Sequence, residues 1–175
     1  MRGEVIEIVG RLSSGRTSLL TAWLTDVTRR GGFVALVDAD GAFDPSSAVR
    51  AGVDLRRLLW VRTGSRRDTA LRAVDLLVRC RGLALVAVDL GESPPRLSLA
   101  AAFRWRMAVQ RAGTTLVILT ARRIAGAGAT LAVRTARRTL EWSGHPRPTR
   151  LARVATGVEV LRGHAPAAAE HWWCA

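Results

Sequence analysis

Four short runs constrain this chain more than any other feature: "FVALVDAD" (33–40), "LLWVR" (58–62), "LALVAVDL" (83–90) and "TTLVILT" (114–120). Three of them are apolar nearly throughout rather than alternating. A strand with one wet face alternates polar and apolar residues, whereas an unbroken apolar strand is covered on both faces. Amphipathic stretches lie between the runs. Over 16–29, Leu19, Leu20, Trp23, Leu24 and Val27 recur at three- and four-residue spacing, as one face of a helix does. Residues 65–80 repeat the pattern with Leu71, Val74 and Val78, and a further helix is predicted over 96–112. The first strand is "VIEIVG" (5–10). A short helix follows Asp44–Pro45 to Ala51, and strands are predicted over 131–143 and 151–162, joined by a turn at 144–149. Strands that alternate with helices form an α/β fold, a mostly parallel twisted sheet with helices on both faces. One domain over 1–163 is expected, followed by a tail, 164–175, without clear periodicity. Ligands of such sheets bind at the carboxyl ends of the strands. A glycine loop, Asp38, Asp40 and Asp89 all fall there.

That loop, "GRLSSGRTS" (10–18), is one residue away from the phosphate-binding pattern G-x-x-x-x-G-K-[ST]. Gly10 and Gly15 permit close backbone approach and positive φ. The N–H groups of Ser13, Ser14 and Gly15 and the helix start at Arg16, Thr17 and Ser18 would cradle an anion. Thr17 would offer its hydroxyl to Mg²⁺, with Asp89 as the second carboxylate near the ion. Arg16 stands where lysine is expected. Lysine is a compact point charge; arginine is longer and planar, and it fits the same cradle poorly. Two readings stay open: a loop that holds nucleotide weakly, or a tight strand-to-helix turn and nothing more.

All 27 basic residues are arginine, against 14 acidic ones, for a net charge of +13. That balance favours polyanions or acidic protein surfaces as partners. The basic clusters after residue 120 name Arg122, Arg123, Arg134, Arg137 and Arg138 as candidate DNA phosphate contacts. In a regular strand Arg134 and Arg138 would share a side and Arg137 take the other. Another basic stretch, "RWRMAVQR" (104–111), interleaves Trp105 with arginines, which can bind single strands by charge and stacking, but Trp105 reads more readily as core with the arginines on a solvated face. Two cysteines, Cys80 and Cys174, are too few and too far apart for a disulfide framework, which suits a reducing compartment. No apolar run approaches the ~18 residues that span a bilayer, so a cytoplasmic protein without membrane contact is expected. The end, "EHWWCA", lacks the spacing and ligand count of a zinc motif, and no metal site is expected beyond the Mg²⁺ option. Its tryptophan pair would either dock elsewhere or fold back on the core.

Three stretches together, "EIVGRLSSGRTSLL", "GGFVALVDADGAFDPSSAVRAGVDLRRLLWVR" and "LALVAVDL", resemble the core of the RecA-like family in the same order. The resemblance implies a RecA-like P-loop core over about 4–163, with ATP and Mg²⁺ as cofactors. It gives Asp40 the place of the catalytic glutamate that polarises water, one methylene short. It puts Ser47 where the family stacks adenine on tyrosine, and Ala121 where a glutamine senses the γ-phosphate. With Arg16 these are four departures at one site, and Asp40 is at most a vestigial catalytic residue. Asp44, Thr17 and Asp89 are kept. The family's filament-building N-terminal segment is not evident before residue 5, and its two DNA loops shrink to "GESPPRLSL" and "RRIAGAGAT".

Small degenerate members of this kind are similar to the ImuA family, and the cell-division inhibitor SulA is a weaker fit. The ImuA resemblance implies a damage-inducible accessory role in error-prone translesion synthesis. The partners it implies are an ImuB-type Y-family polymerase homologue, the error-prone polymerase assembly, single-stranded or primed DNA, and RecA as a further candidate. No cofactor is strictly required in that role. The competing expectation is an ATP-dependent DNA-binding RecA paralogue whose hydrolysis DNA stimulates.

Overall fold

A computed structural model of the chain describes residues 3–163 and the backbone of 169–174. Five parallel strands form its centre: β1 (Val5–Val9), β2 (Phe33–Asp38), β3 (Leu58–Arg62), β4 (Leu83–Asp89) and β5 (Thr115–Thr120). Two long strands follow, β6 (Leu131–Ser143) and β7 (Arg150–Arg162), and then β8 (Ala169–Cys174). The spatial order is β3-β2-β4-β5-β1-β6-β7-β8. Pairing is parallel from β3 across to β6, and antiparallel for β6–β7 and β7–β8. The end of the chain therefore continues the sheet.

Four helices cover the parallel part: α1 (Arg16–Arg29), α2 (Pro45–Arg50), α3 (Arg67–Leu77) and α4 (Leu99–Ala112). One face of the sheet packs under α1 and α2, where Leu19, Leu20, Leu24 and Ala48 meet Ile8, Leu36 and Leu119. The other packs under α3 and α4, where Val74, Val78, Trp105 and Val109 meet Val37, Val88 and Ile118. Both faces are dry across β4, β5 and β1, as the unbroken apolar runs demand, while the edge strand β3 stays partly exposed. Trp105 is core, and its indole N–H donates to Asp75 at 3.2 Å.

Besides β8, which takes 169–174 of the expected tail into the sheet, three details differ from the sequence expectation. The third helix ends at Leu77, so Cys80 lies beyond it and is exposed. The fourth helix starts at Leu99, where Ser98 accepts from the Ala101 N–H as an N-cap, because Pro94 and Pro95 hold the preceding chain extended. In β6 the register slips between Arg137 and Thr139, which breaks simple alternation at Arg138. Arg138 instead lies across Gly157, whose missing side chain leaves the room. Beyond that slip, β6 is exposed and forms an arm with β7, on which Val154 and Ala155 stay buried.

Candidate functional site

The glycine loop sits at the carboxyl end of β1. The Gly10 N–H donates to Thr120 O at 2.9 Å, which ties the loop entrance to β5. Ser13 has φ 60°, and Gly15 has φ 89°. The loop rests on the sheet extension: Ser14 Oγ and Thr135 Oγ1 are 2.8 Å apart, and a Cβ on Gly15 would run into the Thr156 side chain. Gly15→Ala is thus penalised twice, by backbone conformation and by collision. We expect a loss of about 2 kcal/mol or more, read as a lower denaturation midpoint.

Arg16 opens α1 and is 5% exposed. One guanidinium nitrogen donates to Gly10 O at 2.5 Å and to Glu92 Oε1 at 2.9 Å. The other lies 3.9 Å from Asp89 Oδ1. The loop's own arginine therefore bridges its first residue to two carboxylates from the end of β4. Asp89 is nearly buried, and its Oδ1 accepts the Gly91 N–H at 2.9 Å. Desolvation raises its pKa; the Gly91 N–H and Arg16 oppose that rise, while Asp38 and Asp40 add to it. The Thr17 side chain is exposed and Ser18 half-buried. ATP with Mg²⁺ is the cofactor such a loop implies. In this arrangement the Arg16 guanidinium is engaged by Gly10 O and Glu92 Oε1, with Asp89 Oδ1 3.9 Å away.

The carboxylates at the end of β2 also have structural work. Asp38 accepts from the N–H groups of Gly41, Ala42 and Phe43 at 2.8–3.2 Å and from Trp60 Nε1 at 3.2 Å, which pins the following loop. Asp40 is ion-paired with Arg67 at 2.5 Å and lies against Gly91. A cleft of about 560 Å³ beside them is lined by Asp38, Asp40, Arg62, Thr63 and Arg66.

Asp44 caps α2, accepting from the N–H groups of Ser46 and Ser47 and from the Ser47 hydroxyl. The Ser47 hydroxyl and N–H are the main causes holding its pKa below the usual carboxylate value. A depressed folded pKa contributes stability above the unfolded value and loses it as pH falls through the folded one. The thermal midpoint gap between the native chain and Asp44→Ala is therefore expected to be open at neutral pH and to close on acidification below pH ~4.

The candidate DNA arginines divide into two groups. Arg122 donates to Pro94 O at 3.0 Å. Arg123 donates to Gly126 O and pairs with Glu7 at 3.4 Å. Arg134 faces Glu159 across the β6–β7 pair at 3.2 Å. Arg137 and Arg138 are exposed and have no acidic partner among the described residues. Sequence reasoning missed two carboxylates. Glu7 is fully buried in the central strand and accepts the Ile124 and Ala125 N–H groups at 2.5 and 2.8 Å. A lone glutamate inside "VIEIV" was the available signal. Glu92, the Arg16 partner, gave none. Among the described residues there is no cluster of metal-ligating side chains, and no helix is long and apolar enough to cross a membrane. The side chains of the Trp172–Trp173 end lie outside the described residues.

A parallel sheet with its glycine loop between the first strand and first helix defines a P-loop α/β domain. Residues 1–114 match the RecA N-terminal domain, and the chain belongs to that family. It is similar to Protein RecA of Prochlorococcus marinus (strain MIT 9211), with 43% identity over 88 residues, which is 50% of this chain and 24% of the relative. Protein RecA of Synechococcus sp. (strain CC9605) is 44% identical over the same length, covering 50% of this chain and 23% of that protein. Protein RecA of Nostoc punctiforme is 42% identical over 88 residues, 50% of this chain and 24% of that protein. The match thus spans about a quarter of the length of these curated relatives.

Proposed function

We propose that this chain is an accessory member of the RecA family, similar to the ImuA proteins. In that role it acts in damage-induced, error-prone translesion DNA synthesis and binds an ImuB-type Y-family polymerase homologue. One observation carries the reading: Arg16 is held by Gly10 O and Glu92 within the chain, which supports a phosphate loop used as an internal brace. A scaffold that keeps the family fold while its nucleotide loop is committed internally is suited to presenting surfaces rather than to cycling ATP. The two connections that would carry DNA loops in the resemblance are short here, at 90–98 and 121–130.

Recovering proteins on the tagged chain after DNA damage tests the reading. The polymerase homologue is expected to be enriched; its absence above an untagged control would sink the proposal. The basic β6–β7 arm supplies a secondary contact to DNA. Arg137→Glu with Arg138→Glu is expected to weaken single-stranded DNA binding about tenfold at low salt. Binding of the native chain should itself fall steeply between ~50 and ~200 mM salt, as counterion release requires.

A further inference from the structure

Helix α4 packs Ala102, Trp105, Ala108 and Val109 into the core. Its opposite side should then be polar if it met only water. It is not. Leu99, Phe103 and Met107 recur every fourth residue and form one row along the outside, exposed by 56%, 41% and 49%. A groove of about 630 Å³ runs beside the row, lined by Phe103, Met107, Arg79, Arg81, Arg104 and Arg111. None of the residues lining it is acidic. Arg79 is paired with Asp75 at 3.2 Å. Arg81, Arg104 and Arg111 have no acidic partner among the described residues.

We infer that this face docks an acidic amphipathic helix from another protein. An apolar row with four-residue spacing matches the side-chain ridge of a helix laid against it. The arginine rim demands negative charge on that helix's flanks. A second copy of this chain is the wrong occupant, because it would set the same arginines against each other in a protein of net charge +13. Nucleic acid would use the arginines and the Phe103 ring but would leave Leu99 and Met107, on either side of that ring, uncovered. The inference rests on the chemistry of this face and holds whichever assembly supplies the helix.

The test is photo-crosslinking of the full chain in damaged cells, with Met107→p-benzoylphenylalanine and Arg30→p-benzoylphenylalanine as an off-face control. An adduct is expected at position 107 and absent at position 30. Sequencing should place it in a segment of another protein, net negative, with apolar residues three and four apart. The synthetic segment should bind the purified chain, and Arg104→Glu with Arg111→Glu should weaken it about tenfold without moving the thermal midpoint. Adducts to a second copy, to nucleic acid or to a segment lacking that pattern would overturn the inference, as would none above control. Recovery of the polymerase homologue on the tagged chain, with position 107 silent, would overturn this inference alone and leave the accessory reading standing.

Discussion

Arg16→Ala is expected to cost about 3 kcal/mol of folding stability, a fall of about 6–12 °C in thermal midpoint for a chain of this size. In a loop built to hold nucleotide the basic residue reaches towards phosphate, and removing it costs function rather than fold. Here Arg16 is the donor to Gly10 O and Glu92 and the nearest cation to Asp89. Glu92 is partly exposed, so water screens its share of the loss. Asp89 is nearly buried, and its charge is left without a positive neighbour. Arg16→Lys should lose less, about 1–2 kcal/mol, because one ammonium reaches these acceptors less completely than a guanidinium. The pH dependence has a sign. Asp89 already has a raised pKa, chiefly from desolvation, and losing Arg16 removes a cause that lowers it. A carboxyl with a raised folded pKa binds more protons folded than unfolded between the two values, so its penalty is full above the folded pKa and relaxes as pH falls. The Arg16→Ala deficit should therefore shrink on acidification. Circular dichroism melts at neutral and mildly acid pH measure it. A variant that melts like the native chain would remove the brace from the account.

Glu7→Ala should be the most damaging single change, about 3–5 kcal/mol. Glu7 is fully buried in β1, the strand between β5 and β6. It accepts two N–H groups from the loop after β5 and pairs with Arg123. Alanine would leave both N–H groups without that acceptor and Arg123 without its carboxylate. Glu7→Gln keeps one acceptor oxygen and should lose less, about 1–2 kcal/mol. Because the carboxylate fixes 124–125, hydrogen exchange at those amides should speed up in Glu7→Gln before the core amides change. Uniform protection in that variant would mean Glu7 is merely tolerated, not the anchor of the loop.

The sheet and its helices were legible because unbroken apolar runs admit few arrangements other than a covered parallel sheet. The Gly10–Ser18 loop was legible as geometry, since glycines at both ends of a strand-to-helix turn have a backbone reason. What Arg16 does there was not. Its partner Glu92 lies 76 residues away, and Glu7 finds its loop 116–118 residues away. Spacing along a chain carries no signal for such pairs. Asp44 had two meanings in one motif: Asp-Pro followed by serines is also a helix start, with Pro at the first turn and Asp as the cap. The pairing of 169–174 with β7 was hidden because "EHWWCA" does not alternate. The break at Arg138 was hidden because β6 alone does not show the residue it gains on β7.

Mg-ATP turnover by the purified chain, with and without single-stranded DNA, bears most directly on the claim that the phosphate loop serves as an internal brace. The account predicts no turnover above a protein-free control in either condition. Turnover that DNA stimulates and that disappears in Asp89→Ala would contradict it, and would make "GRLSSGRTS" a working site.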